Sequence, residues 1–447
     1  MIALAALILA LPAHATELAM GTYGRGGAAT DLSGGEAELV DIVTFGSRIG
    51  KAPYAEVDFV FIDEVDGGAN FRAVLTPAFA GQTFHYTGEW DTNVAIRNLF
   101  AEAMGPRNEG WNAWAGARMW RGDDVYLWDF WPMDNLNLVG GGGGYEGNGW
   151  DVRVGMGLNR LSSGAFQHQT FGVQTPGGVA TTDVDVLDRQ RTVAALRVGR
   201  LIPAGDLMVR ARVYSELHKL PEGERSVEAR LTEVLPADKG SAWGAQLSTW
   251  GWSDGSFVHL WYRYSRGLAS FSELGVPERG YAADGSLSDA RTHLLATAGN
   301  HETDRFGLLW GAWLRSFKDA DGVSADWDDR VETAVSVRPS LFIGQHGVIA
   351  TELSHQRFVS AGLSPQSEAP GAPAVTQFAL MPGLQTRPGQ MERPWIHLTY
   401  AYGRLNEDAR WLWPEEDVRF TSAHHHRLGV GVEWWFDSAS YRPGGVR

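Results

Sequence analysis

The sequence predicts an all-β protein, a transmembrane antiparallel β-barrel, and three observations favour this class. Segments of about ten residues alternate polar and apolar side chains, which is the period of a strand and the length of a tilted strand across a bilayer. Turn-forming residues separate these segments, and the chain has 55 Gly in 447 residues. Aromatic residues are abundant (19 Trp, 19 Phe and 12 Tyr), yet no apolar run is long enough for a membrane-spanning helix.

The first fifteen residues, MIALAALILALPAHA, predict a secretory signal peptide. An apolar run from Ile2 to Leu11 precedes Pro12 and the small-x-small triplet 13–15, a typical cleavage signal. The run is too short for a transmembrane helix. Cleavage after Ala15 would leave one predicted barrel domain, residues 16–436, and a C-terminal tail, residues 437–447.

The alternation is clearest in four segments, residues 54–61, 208–216, 393–402 and 427–436. In the first, Tyr54 and Glu56 share a polar face, while the intervening residues form an apolar face. In the last, Glu433 and Trp435 share the polar face. A strand that separates water from lipid requires this division, with charges and rings together on the water side.

Turn and loop signals separate the predicted strands. Short ones occur at residues 203–206, 253–256 and 319–322, and longer stretches rich in Gly, Pro, Ser and charge at 170–188, 273–289 and 362–377. Short turns at one end and long loops at the other are typical of outer-membrane barrels. A soluble β-sandwich or β-helix is the alternative, because its strands also alternate with a period of two.

Residues 111–134 carry the most informative stretch, WNAWAGARMWRGDDVYLWDFWPMD. Indoles and charges alternate closely, too many charges for a core strand and too many indoles for an exposed loop. The many charges and the many indoles both suit the wall of a water-filled passage. A sugar fits such a wall, because its pyranose faces stack on aromatic rings and its hydroxyls bond to carboxylates and guanidinium groups. We therefore interpret the stretch as part of a sugar-passing channel.

Composition excludes other classes of function. The chain has 53 acidic and 38 basic residues, a net charge of −15, so nucleic acid is an unfavourable partner. It has no Cys, which excludes a disulfide framework and thiol chemistry. No cofactor is predicted.

Several short motifs occur in a fixed order between residues 23 and 436: Tyr23-Gly-Arg25, Arg48-Ile-Gly, Tyr54-Ala-Glu56, Asp91-Thr-Asn-Val-Ala, Trp114-Ala-Gly, Arg338-Pro, Arg393-Pro and Glu433-Trp434-Trp435-Phe436. In this order they resemble the maltoporins, carbohydrate-specific trimeric porins of bacterial outer membranes. The resemblance implies a barrel of about 18 strands, a third extracellular loop folded inward as a constriction, and a homotrimer in outer-membrane lipid. It also implies facilitated diffusion of maltose- and maltodextrin-like oligosaccharides.

In that family a sugar slides along an aromatic track flanked by an ionic track. Position by position, the resemblance places Tyr23, Tyr54 and Trp435 in the aromatic track, and Trp131 where the family has a constriction Tyr. It places Arg25, Arg48, Glu56, Asp124, Asp129 and Asp134 in the ionic track. Two departures stand out: Ile343 and Ala101 occupy positions of a track Trp and a track Arg. Alternatively, the aromatic residues form interfacial girdles, and the charged residues form ordinary salt bridges.

Two rival functions remain open. One is a general, non-selective porin. The other is an outer-membrane barrel enzyme such as a lipid hydrolase, which would need a Ser nucleophile beside a His base. Ser354 and His355 are adjacent in a predicted strand and so point to opposite faces. The same geometry argues against a metal site at residues 424–426, three consecutive His. No catalytic or metal-binding residue is predicted.

Overall fold

The computed structural model describes residues 17–32, 40–50, 52–64, 69–82, 91–105, 110–159, 168–174, 181–228, 231–271 and 280–437. The predicted signal peptide and residues 438–447 of the predicted tail lie outside these ranges. Among the described residues, no helix is long and apolar enough to cross a membrane.

The described ranges contain 22 strands and two short helices: β1 (Glu17–Asp31), β2 (Tyr54–Glu64), β3 (Asn70–Gln82), β4 (Asp91–Met104), β5 (Gly110–Arg121), β6 (Asn135–Gly147), β7 (Trp150–Asn159), β8 (His168–Gln174), β9 (Thr181–Asp188), β10 (Arg191–Ala204), β11 (Leu207–Leu220), β12 (Gly223–Glu228), β13 (Leu231–Leu235), β14 (Asp238–Trp250), β15 (Phe257–Gly267), β16 (Arg291–Glu302), β17 (Phe306–Lys318), β18 (Arg330–Ile343), β19 (Gly347–Ser360), β20 (Ala374–Gln385), β21 (Trp395–Leu405), α1 (Glu407–Arg410), α2 (Val418–Thr421) and β22 (His424–Phe436).

Eighteen of the strands form one antiparallel sheet that closes on itself. β1 pairs with β2 on one side and with β22 on the other, where Tyr23 lies opposite Trp435. The remaining four strands form two separate hairpins, β8–β9 and β12–β13, in the connections that follow β7 and β11. The predicted barrel of about 18 strands is confirmed. A sandwich is excluded, because a closed sheet leaves no free edges.

Short and long connections alternate as predicted. One end of the barrel has tight turns, such as residues 148–149, 205–206 and 344–346. The other end has long connections, such as 122–134, 319–329 and 406–423. The signals at 203–206 and 253–256 do mark short turns, whereas that at 319–322 begins a long connection.

The two faces of the sheet differ in chemistry as the alternation predicts. In β11, Val213 and Leu217 are more than half exposed on the outer face, whereas Arg212, Tyr214 and Glu216 are buried on the inner face. An apolar outer face and a polar interior suit a barrel in lipid. Charges inside the barrel occur as buried ion pairs: Arg263 with Glu216 at 3.0 Å, Arg315 with Glu332 at 2.6 Å, and Arg338 with Glu352 at 2.6 Å. Pairing is needed because an unpaired buried charge costs several kcal/mol.

The connection 122–134 between β5 and β6 folds into the barrel, as predicted for the constriction loop. Its apolar side chains are almost fully buried, including Leu127, Trp128 and Phe130 at 1% exposure each. The loop contacts the wall on several sides: Trp128 Nε1 donates to Ser336 Oγ at 3.1 Å, and Arg263 Nη1 donates to the Met133 carbonyl at 2.9 Å.

A second inward segment, residues 40–50 between β1 and β2, was not predicted. Ser47 Oγ donates to Glu352 Oε1 at 2.7 Å, and the amide of Ile42 donates to Gln356 Oε1 at 3.0 Å. The segment also packs on the constriction loop, where the rings of Phe45 and Phe130 stack with centroids 4.0 Å apart. The two connections therefore narrow the barrel interior together.

Truncating Trp128 tests how firmly the constriction loop is held. We expect Trp128→Ala to lower the free energy of unfolding by about 3–5 kcal/mol, because a fully buried indole is lost, and to raise single-channel conductance as the loop loosens. Urea unfolding of refolded protein in detergent and planar-bilayer recording measure the two effects. Trp252→Ala is the control, since Trp252 is exposed in a short turn. Equal results for both variants would contradict the anchoring role.

Candidate functional site

Three predicted aromatic residues adjoin one another on the inner wall. The rings of Tyr23 and Tyr54 are 5.8 Å apart between centroids, and those of Tyr23 and Trp435 are 6.5 Å apart with 21° between their planes. The constriction loop adds a fourth ring, Tyr126, whose edge meets Trp435 at 6.1 Å. Neighbouring strands bring these residues together, because β1 lies between β2 and β22.

Strand register places aromatic and charged side chains alternately across the wall. Residues directly opposite one another in β2, β1, β22 and β21 form two adjacent rows, Tyr54–Arg25–Glu433–Trp395 and Glu56–Tyr23–Trp435. Because strands tilt in a closed barrel, such rows slope relative to the pore axis. Within these rows Arg25, Tyr54 and Trp435 are partly exposed, whereas the other four residues are buried.

Asp129 connects the constriction loop to this wall. It ends the 3-10 turn Tyr126–Trp128 in the left-handed conformation (φ 52°), which Asp tolerates better than most residues. Its carboxylate accepts a hydrogen bond from Arg25 Nη1 at 2.7 Å and forms an ion pair with Arg48 Nε at 3.2 Å. The side chains of Arg25 and Asp129 remain 22% and 20% exposed, so both are accessible from the lumen.

Tyr54 and Glu56 form a second charged group with a residue that was not predicted, Arg97. The Tyr54 hydroxyl donates to Glu56 Oε2 at 2.6 Å, and Arg97 pairs with Glu56 at 2.5 Å. Arg97 points inward because β4 contains one extra residue opposite the step from Thr76 to Pro77 of β3. A β-bulge re-aims side chains in this way, and sequence alternation alone does not reveal it.

Glu433 is the buried centre of the network. Arg48 Nη2 and Arg393 Nε donate to its two oxygens at 2.7 and 2.9 Å, and the Tyr23 hydroxyl donates at 3.2 Å. The Tyr126 hydroxyl also donates to it. Glu433 and Arg393 both occur in motifs of the family resemblance, but neither was predicted as a site residue. Tyr126 gave no usable signal, because alternation does not apply inside an irregular loop.

Trp131 and Asp134 have partners outside this group. Trp131 stacks beneath the guanidinium of Arg121, 3.9 Å from the ring centroid, and Asp134 pairs with Arg197 at 2.5 Å on another part of the wall. Tyr126, not Trp131, is the loop aromatic beside Trp435.

Asp124 is half-buried, and burial, reinforced by the Asp129 carboxylate, raises its pKa to about 7. The functional role of all ten residues stays a prediction.

Ile343 and Ala101, the two departures from the family's track residues, do not lie in the lining of the barrel. Ile343 is 51% exposed on the outer face of β18, and Ala101 is exposed on the outer face of β4, next to the inward-facing Phe100 and Glu102. The expectation that these two positions lie in the track is therefore not met, because both side chains face outward.

The side chains of each rival site are divided between the two faces of the sheet. Ser354 is buried and donates to Gln377 Oε1 at 3.3 Å inside the barrel, whereas His355 bonds to Thr376 Oγ1 at 2.9 Å on the outside. Of the three consecutive histidines, only the middle one is buried; the others bond to the outward hydroxyls of Tyr402 and Tyr400 at 2.7 and 2.9 Å. Neither set converges on one substrate or ion.

Comparison with known proteins gives one family match. The family model described as LamB porin matches residues 18–436. A search of curated proteins finds no match.

Solved structures similar to this chain include three outer-membrane proteins. Vibrio cholerae OmpT shares 12% identity, covers 95% of this chain and 99% of its own, and gives a TM-score of 0.44. Pseudomonas aeruginosa OprD shares 9% identity with coverages of 94% and 95% and a TM-score of 0.45. Acinetobacter baumannii OccAB2 shares 12% identity with coverages of 94% and 98% and a TM-score of 0.45. At these values neither substrate nor site residues follow from the likeness.

Neutralising Glu433 tests the network. We expect Glu433→Gln to lower stability by about 3–5 kcal/mol, because Arg48 and Arg393 lose a buried counter-charge. Thermal melting of the detergent-solubilised protein, followed by circular dichroism, measures the change. The matched control is Glu392→Gln, whose partner Arg387 has a side chain that is 75% exposed, and we expect no measurable shift there. Similar melting temperatures for both variants would show that the network does not stabilise the barrel.

Proposed function

This chain belongs to the LamB porin family, and on that premise we propose that it carries oligosaccharides of the maltose and maltodextrin type by facilitated diffusion. The family is one of bacterial outer-membrane channels, so the protein is an outer-membrane porin and not an enzyme. Selectivity for sugars is the part that we propose.

The observation that supports sugar transport is the alternation of rings and charges along the sloping rows of β2, β1, β22 and β21. Tyr54 and Trp435 are half-buried and so keep some contact with the lumen. Beside them, Arg25 and Asp129 offer donors and acceptors for hydroxyls. A sugar would exchange one partner for the next as it advances. Such sites must be weak to permit exit, and millimolar binding corresponds to about 4 kcal/mol.

One observation favours a second function, a general porin. The guanidinium of Arg393 lies 4.2 Å from the ring centroid of Trp435, and the ring centroid of Tyr23 lies 6.5 Å from that of Trp435. Stacking of a sugar on Trp435 would then require displacement of one of these neighbours. If that displacement costs too much, the pore passes small solutes without recognising sugars.

Current recordings in planar bilayers, titrated with maltotriose, maltohexaose, sucrose and a polyethylene glycol of similar size, distinguish the two functions. We expect saturable current block in the millimolar range by one class of sugar. Trp435→Leu and Tyr54→Leu should each weaken it about two- to tenfold, the effect of one aromatic contact.

Trp434→Leu is the matched control for this experiment, because the neighbouring indole of Trp434 lies on the outer face and donates to Thr22 Oγ1 at 3.3 Å. Far-UV circular dichroism verifies that each variant forms the barrel. Steady conductance that no sugar changes would reject sugar selectivity and establish the general porin. Equal weakening by Trp434→Leu would also contradict the assigned site.

We further propose that the protein is a homotrimer in outer-membrane lipid. Small residues occupy the outer face of three adjacent strands, β4 to β6, and would let another copy approach closely: Ala101, Ala113, Ala115, Gly141 and Gly143. Bulkier apolar residues elsewhere on the outer face suit lipid. We expect light scattering in detergent to give about three times the 48.9 kDa of one chain. A mass equal to one chain would reject the trimer.

A further inference from the structure

The connection 319–329 between β17 and β18 is strongly acidic. Its sequence, DADGVSADWDD, has five Asp and no Lys or Arg. The basic residues on either side pair with carboxylates other than Asp319, Asp326 and Asp328. Lys318 Nζ lies 3.0 Å from Asp329, and Arg330 Nη2 lies 2.6 Å from Glu332. Acidity alone does not make a binding site, but two further observations point to a cation.

The first observation is distance. One carboxylate oxygen from each of Asp319, Asp326 and Asp328 lies within 4.8 Å of the other two. Ca²⁺ binds oxygen at about 2.3–2.6 Å, so two ligands on opposite sides of one ion are up to about 5 Å apart. The three carboxylates therefore have the spacing that a single Ca²⁺ ion can bridge.

The second observation is a buried oxygen without a hydrogen-bond donor. Asp319 is only 1% exposed. Its Oδ1 accepts from the amide of Asp321 at 3.0 Å, but its Oδ2 is buried with no hydrogen-bond partner. A buried carboxylate oxygen that lacks a donor is unfavourable.

We propose that Asp319, Asp326 and Asp328 bind a Ca²⁺ ion. The site joins three long connections at one end of the barrel. The amide of Ala320 donates to the Gly280 carbonyl at 3.2 Å, the amide of Ala361 donates to the Asp329 carbonyl at 2.7 Å, and Ser360 Oγ donates to the Trp327 carbonyl at 2.6 Å. The ion would fix the fold of the connection 319–329, to which the other two connections are hydrogen-bonded.

Terbium luminescence tests the site, because the indole of Trp327 lies between two of the ligands in sequence and can sensitise bound Tb³⁺. The full chain, refolded from inclusion bodies so that outer-membrane lipid is absent, is titrated with Tb³⁺ and then with Ca²⁺. We expect one Tb³⁺ per chain, displaced by Ca²⁺ with a dissociation constant of about 10⁻⁴–10⁻³ M, the range of modest extracellular sites. Asp326→Asn should weaken Ca²⁺ binding about tenfold or more, since affinity depends on ligand charge.

One control variant and one further ligand variant make the result decisive. Asp304→Asn removes an exposed carboxylate at the opposite end of the barrel and should leave binding unchanged. Asp328→Asn, at a half-buried ligand, should weaken binding in the same way and replaces Asp326→Asn if that variant fails to fold. Ca²⁺ should also raise the melting temperature of the unaltered protein but not that of Asp326→Asn, because a ligand stabilises only a fold that binds it. Absence of saturable binding, or equal affinity in Asp326→Asn and Asp304→Asn, would overturn the site.

Discussion

The closure of β1 against β22 is the constraint on which the rest of this structure depends. A strand in lipid must have every backbone donor and acceptor paired, and a sheet achieves this only when it closes. Closure fixes which face of each strand meets lipid and which faces the interior. It also brings the two ends of the chain together, so that Tyr23 and Glu433, which are 410 residues apart in sequence, share a hydrogen bond.

The interior that closure creates is charged, and its charges are held in pairs. Arg48, Asp129 and Glu433 illustrate the result, because each contacts a partner from a different segment of the chain. Pairing lets many ionic groups lie close to one another without the cost of isolated buried charge. Pairing also fixes the orientation of each guanidinium, so that its donors point in a defined direction.

The two inward connections give the interior its final shape. Residues 40–50 and 122–134 meet at the stacked rings of Phe45 and Phe130 and at the hydrogen bond from the Arg48 amide to the Leu127 carbonyl, 3.0 Å long. Arg48 therefore belongs both to the packing of the loops and to the charged lining. A permeating solute would pass groups that are positioned by two loops and the wall together, so loop packing and solute recognition are physically coupled.

The sequence by itself determined the all-β class, favoured a barrel, and assigned the faces of residues in the segments where alternation is clear. Period-two alternation is a local property, so Tyr54, Glu56, Arg212, Glu433 and Trp435 could be assigned to the interior without knowledge of their partners. The family resemblance added the number of strands and the inward third connection. The face assignments and the family resemblance both follow from sequence patterns, which do not depend on contacts between residues far apart in the chain.

Only the tertiary structure decided which of these residues meet. Tyr126 rather than Trp131 joins Trp435, because the path of an irregular loop follows from its contacts with strands far away in sequence. Arg97 faces inward because of a bulge, and Ile343 faces outward because register depends on pairing between strands. The inward course of residues 40–50 depends on partners such as Gln356 and Glu352, about 300 residues later. Alternation fixes the side of the sheet on which a residue lies, but neighbours across the interior are set by closure, register and loop packing.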